Sequence, residues 1–172
     1  IVDCDWSSDV CSSDLKAKFG IFGDGKEVVQ VAVAKSFRPG DFLSGYYRDQ
    51  TFSFITGVAT LEEFFSQLYA DPDPAHDPHS GGRQMNAHFA SPFVASDGEW
   101  LDLVNRYNIT SGMAPTAAQM PRTIGLALAS KLFRNEKKLH PFTQLSDRGN
   151  EVCFCTIGDR KSTRLNSSHS QQ

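Results

Sequence analysis

The chain has 172 residues, 40% of them hydrophobic, with a formal net charge of −3 and four cysteines. That balance offers no basic footprint for nucleic acid or an anionic membrane, so neither is expected as a partner, and no apolar run reaches the length of a bilayer span. Two of the four cysteines, Cys4 and Cys11, lie in or beside the atypical amino-terminal stretch described next, and the two that remain make no disulfide framework, which fits a reducing, cytoplasmic setting.

The two ends stand apart from the rest. Asp5–Leu15 reads DWSSDVCSSDL and Asp159–His169 reads DRKSTRLNSSH. Both are rich in serine, poor in aliphatic residues and without a helix or strand period. They are also related through the genetic code, because one DNA oligonucleotide translates to the second string and its reverse complement, extended by one base, to the first. Residues 1–15 and 159–172 therefore read as translated sequencing-library adapter, disordered and outside the fold. The genuine segment is 16–158. It carries a formal charge of about −1 on reference ionisation states and retains only Cys153 and Cys155.

Asp24-Gly25-Lys26-Glu27 matches a capping box and predicts a helix from there to about Phe37, which Arg38-Pro39-Gly40 then breaks. Thr60-Leu61-Glu62-Glu63 is a second box, opening a helix through Tyr69 with Leu61, Phe64, Phe65 and Leu68 on one stripe. Prolines and glycines exclude regular structure from Asp71 to Arg83. Ser96 and Glu99 predict a third helix over 99–107. Pro121 suits a first helical turn, and Thr123–Phe133 follows with aliphatic residues set among Gly125, Ala127 and Ala129, small enough for close packing. Glu151–Ile157 is almost wholly apolar and reads as a strand buried on both faces, the signature of a parallel sheet.

Between the first two helices lies SGYYRDQTF. An arginine fork beside a tyrosine hydroxyl suits an anionic ligand, although the same run is also an ordinary surface corner with a local ion pair. His76 and His79 in HDPH are either metal ligands or a solvated turn. His88 is either a site histidine or a packed one. Cys153 and Cys155 point to one side of their strand and suit small buried hydrophobes. Gly23-Asp24-Gly25 reads as a turn. Gly158-Asp159 is different, since it follows a strand at the position where open α/β sheets bind ligands, and an aspartate there suits Mg²⁺.

Taken together, GYYRDQTF, GGRQMNAHF, APTAAQMPRTIGLALASK and a strand ending in Gly-Asp resemble the alpha-type portion of the thiamine diphosphate-dependent decarboxylating component of 2-oxoacid dehydrogenase complexes, the branched-chain members above all. The resemblance spans Phe19 to Gly158. It implies a partial transketolase-like α/β domain with a parallel sheet, truncated at its first buried strand. It also implies oxidative decarboxylation of a 2-oxo acid with acyl transfer to a lipoyl group. The cofactors implied are thiamine diphosphate and Mg²⁺, and the partners a beta-type half and a lipoyl-bearing acyltransferase. By the same resemblance Tyr47 and Arg48 grip the cofactor diphosphate, Thr116 lies in the loop approaching the aminopyrimidine, and Gly158 and Asp159 begin the metal motif, with Asp159 the Mg²⁺ ligand. It assigns no catalytic residue here, and the chain as given is expected to be inactive. The alternatives are another transketolase-type enzyme or a non-catalytic α/β binding domain.

Overall fold

In the computed structural model the described residues are 22–157, apart from 114 and 116. Their order is α1 (Glu27–Ser36), β1 (Phe42–Ser44), α2 (Gln50–Ile55), α3 (Leu61–Tyr69), β2 (Asn108–Thr110), α4 (Gln119–Asn135), a 3₁₀ turn (Lys137–Leu139) and β3 (Cys153–Cys155). The three strands form a parallel sheet in the order β2-β1-β3, with Leu43 opposite both Ile109 and Phe154. The α/β class with a parallel sheet is as expected. The segment read as the first strand is, however, the third. It is an edge strand, half-buried over Cys153–Cys155, with Val152 and Ile157 exposed on either side. Sitting at the edge, it has no neighbour on its outer side among the described residues to cover it fully.

Helix α3 forms as its capping box dictates. The Thr60 hydroxyl accepts the Glu63 N–H at 3.1 Å and the Glu63 carboxylate accepts the Thr60 N–H at 2.7 Å. Only half of its apolar stripe is covered, because Phe64 and Leu68 are buried while Leu61 and Phe65 face out. The box read at Asp24 does not form. Gly25 turns with φ of 76°, Lys26 takes the N-cap position, and the Glu27 carboxylate reaches back only to the Gly25 N–H.

No helix forms at 99–107. Val94 and Trp100 instead make an antiparallel bridge around Gly98, whose φ of 90° closes the turn. The Asp97 and Asp102 carboxylates accept backbone N–H groups two and three residues on. Such side-chain bonds compete with a helix. Asp71–Arg83 is irregular, as expected.

Two apolar clusters carry the fold. Ala34, Phe37, Leu43, Phe52 and Ile109 pack between α1, α2 and the sheet, with Tyr107 and Phe154 against them. The Phe37 ring sits 5.0 Å from Phe52 and 5.3 Å from Phe154, both edge-to-face, and 5.7 Å from Tyr107, arrangements that add to simple area burial. The second cluster, Ala59, Phe64, Ala87 and Phe89, anchors α3 to the following loop.

Helix α4 begins earlier than expected, at Gln119, so Pro121 falls in the first turn where its missing N–H costs nothing. It reaches the sheet through Gln119 and Ser130, which are buried, while Ile124, Leu128 and Leu132 are exposed. Gly125 has open space around its Cβ position, so the small residues do not all serve close packing. No helix among the described residues is long and apolar enough to cross a membrane.

Candidate functional site

In an open parallel sheet ligands bind outside the carboxyl ends of the strands, where the connecting loops fan out. At that edge β1 ends at Ser44 and the chain turns through Tyr46–Asp49, closed by Asp49 N–H donating to the Tyr46 carbonyl at 2.9 Å, and enters α2. Two glutamines hold this turn from behind. Buried Gln30 of α1 donates to the Arg48 carbonyl at 2.9 Å and accepts the Phe52 N–H at 3.0 Å. Gln50 donates to the Tyr47 carbonyl at 3.3 Å and accepts the Gly23 N–H at 2.8 Å. Gly23 has to be glycine in this geometry, because a Cβ there would lie 2.3 Å from the Arg48 carbonyl oxygen.

The side chains of the turn form a stack. The Tyr46 and Tyr47 hydroxyls are 2.8 Å apart, with ring centroids at 4.0 Å. Tyr47 stacks on His88 at 5.8 Å, 19° from parallel, and the Arg48 guanidinium carbon lies 5.6 Å from the Tyr47 ring. His88 is buried and packed, and its Nδ1 lies 3.0 and 3.1 Å from the Met85 and Asn86 carbonyls, so Nδ1 carries a proton. Burial raises the Tyr47 hydroxyl above its ordinary pKa, helped by the Tyr46 hydroxyl and opposed by the Arg48 charge. The phenol therefore stays protonated as a donor. Arg48 Nε is buried without a hydrogen-bond partner among the described residues, an orphan that native structures rarely leave without a reason.

Behind the turn, Asp49 Oδ2 accepts the Tyr46 N–H at 2.8 Å and the hydroxyl of Thr156, the residue after β3. Burial raises the Asp49 carboxyl above the usual range, and these two bonds pull it back only in part. Gln119, fully buried at the start of α4, donates to the Thr156 carbonyl at 2.8 Å. Its own carbonyl accepts from Ser44 at 3.0 Å and Thr123 at 2.8 Å. Gln119 Oε1 is a second buried atom without a partner.

Of the residues singled out from sequence, Tyr47 and Arg48 thus sit side by side at the carboxyl edge. Thr116, Gly158 and Asp159 lie outside the described residues. The histidines of HDPH serve other ends. His76 pairs with the Asp71 carboxylate at 3.0 Å, and His79 packs on Phe89 and faces Glu63 at 3.6 Å. Between them Asp77 is fully buried and accepts from the backbone of His79, Ser80 and Gly82 and from the Ser80 hydroxyl, closing the loop. Among the described residues no group of three His, Cys, Asp or Glu is placed to hold a metal. Cys153 and Cys155 are unpaired and half-buried rather than buried.

Sequence reasoning missed Gln30 and Thr156 as parts of this edge, and it gave Asp49 and Gln119 no part in holding the turn, although both lie in stretches that it singles out. The only signal for Gln30 was a polar residue in line with Ala34 and Phe37 on an apolar helix face.

The family model described as dehydrogenase E1 component matches residues 7–164 of this chain. The chain belongs to the dehydrogenase E1 component family. It is similar to the 2-oxoisovalerate dehydrogenase subunit alpha of Bacillus subtilis (strain 168), 32% identical over 124 residues, covering 72% of this chain and 32% of that protein. It is similar also to the mitochondrial 2-oxoisovalerate dehydrogenase subunit alpha 1 of Arabidopsis thaliana, 26% identical over 134 residues, covering 78% of this chain and 24% of that protein. The chain thus spans about a third or less of the length of these relatives. Within this E1 family segment, the described carboxyl edge offers the Arg48 guanidinium and the Tyr47 phenol, since Tyr46 donates to Tyr47 and His88 Nδ1 to backbone carbonyls.

Proposed function

We propose that this chain is the amino-terminal part of the alpha-type portion of a thiamine diphosphate-dependent 2-oxoacid dehydrogenase of the branched-chain kind, and that Tyr47 and Arg48 hold the cofactor's diphosphate. The observation that carries this reading is Arg48 Nε, buried without a partner at the carboxyl edge of a parallel sheet and beside the Tyr47 phenol. A cation with an unused donor fits a diphosphate, which accepts several charge-assisted hydrogen bonds. The two relatives, both named for 2-oxoisovalerate, support the substrate class.

In this reading the turn binds and orients the diphosphate. Gln30 and Gln50 keep its backbone still, and the raised Tyr47 hydroxyl remains a donor at neutral pH. By the same resemblance Thr116 belongs to the cofactor site, and Gly158 with the aspartate that follows it in the parent begins the Mg²⁺ motif, the adapter's first codon supplying that same residue as Asp159. When bound, thiamine diphosphate supplies the carbanion stabilisation that decarboxylation of a 2-oxo acid requires. The beta-type half and a lipoyl-bearing acyltransferase are the proposed partners, and the cytoplasm the proposed location, in keeping with two unpaired cysteines. Residues 1–15 and 159–172 are adapter-derived in this proposal. Genomic sequence that runs on through both junctions with these same codons would refute it.

The decisive test is calorimetric titration of the full-length subunit with thiamine diphosphate and Mg²⁺. Arg48→Ala should weaken binding by about 2–3 kcal/mol, the scale for removing a charge-assisted partner from a partly buried anion. Unchanged affinity would reduce Tyr47-Arg48 to a surface corner.

A further inference from the structure

We propose that Asp49 is a positioning residue for this cofactor grip, fixing the Tyr47-Arg48 pair against the end of β3 through the Thr156 hydroxyl. The inference rests on the diphosphate reading above and goes beyond it to a residue that holds the pair in place.

Asp49 stands at the N-cap position of α2, where an aspartate ordinarily accepts an N–H from the first turn of its own helix. It makes no such bond. Its carboxylate turns the other way, and one oxygen, Oδ2, accepts both the Tyr46 N–H and the Thr156 hydroxyl. The carboxylate is seated against the backbone, since a Cβ on Gly45 would come within 2.9 Å of the same oxygen. Thr156 is held from its other side, where its carbonyl takes the Gln119 amide at 2.8 Å. Gln119 is tied in turn to the end of β1 through Ser44. Asp49 thus joins the turn to a point already fixed by β1, β3 and α4. In the chain, Tyr47 and Arg48 lie between Tyr46, whose N–H this carboxylate holds, and Asp49 itself. With both ends pinned, the guanidinium and phenol can meet a ligand without first ordering the turn.

The test uses the full-length subunit, titrated calorimetrically with thiamine diphosphate and Mg²⁺, alongside thermal unfolding of the cofactor-free protein. Asp49→Ala and Thr156→Val should each weaken cofactor binding about tenfold, the lower end for removal of an outer-shell partner. The double variant should lose no more than either single one, and Thr156→Ser, which keeps the hydroxyl, should bind as the parent does. In an Arg48→Ala background, Asp49→Ala should cost less affinity than it does in the parent, because only the Tyr47 share of its effect remains. A lowered Tm with unchanged affinity would leave Asp49 a purely structural residue and overturn the proposal, as would a full additive loss in the Arg48→Ala background. Should Asp49→Ala fail to fold, the Thr156→Val and Thr156→Ser pair decides alone. Failure of the diphosphate reading looks different: Arg48→Ala would then bind like the parent, whereas failure of the present inference leaves the Arg48→Ala loss intact.

Discussion

Two aspartates bracket β1, and each ties it to β3. At the amino end, buried Asp41 accepts the Val152 N–H at 2.7 Å on one oxygen and the Arg38 N–H at 2.9 Å on the other. Its carbonyl takes the Asn108 N–H and side-chain amide, so a single residue stitches all three strands together. At the carboxyl end Asp49 does the corresponding work with Tyr46 and Thr156. The difference lies in what is left over. Among the described residues the amino end retains one neutral acceptor, Asn108 Oδ1, while the carboxyl end retains a cationic donor, Arg48 Nε, as well as the acceptor Gln119 Oε1. An unused neutral acceptor is a modest cost to a fold, whereas an unused buried donor on a charged group is worth keeping only where a ligand will take it. On the proposed reading, one end of the strand serves stability and the other binding.

The comparison can be broken most directly at Asp41. Asp41→Ala leaves two part-buried backbone N–H groups without their acceptor and should cost about 2 kcal/mol of stability in a denaturant titration, with the affinity of the full-length subunit for thiamine diphosphate unchanged. A loss in affinity with no loss in stability would invert the assignment of the two ends. A smaller effect is expected at Arg48, where Arg48→Met removes the orphaned donor and keeps the aliphatic stem. Stability should stay within about 0.5 kcal/mol of the parent or rise slightly, and a loss of several times that would show that the arginine supports the fold.

The smallest effect concerns pH. Burial raises the folded-state pKa of Asp49 above its ordinary 3.8. The stability linked to this group is therefore fully present below the unfolded value and is lost as pH rises through the folded one. Asp49→Asn removes that slope. Compared by thermal unfolding of the cofactor-free protein, the gap between parent and variant should shift in favour of the variant from acid to neutral pH, and parallel curves would exclude burial as the cause.

Local signals were legible where a single turn of chain decides the outcome. Thr60 and Glu63 satisfy each other within four residues, and the box they form was readable as such. Ser96 and Glu99 present the same letters, but Gly98 and the carboxylates of Asp97 and Asp102 capture the backbone first. Strands β1 and β2, three residues each, are too short to show an alternation. Tyr47 and Arg48 could be read through their resemblance to a family, whereas Gln119, Thr156 and Gln30 act on partners 37, 107 and 18 residues away. No spacing rule reaches that far, because only the parallel pairing of the strands brings these residues to one edge.

That pairing also sets a timetable. The strand at the centre of the sheet is the first of the three to be synthesised, and the residues it must meet lie 67 and 111 positions downstream. At about 5–20 residues per second on the ribosome, β1 waits roughly 5–20 s with both edges open before β3 emerges. Three residues are a short template for a wrong partner to pair with. The brevity that hid this strand from view in the sequence is also what makes so long a wait tolerable to a nascent chain.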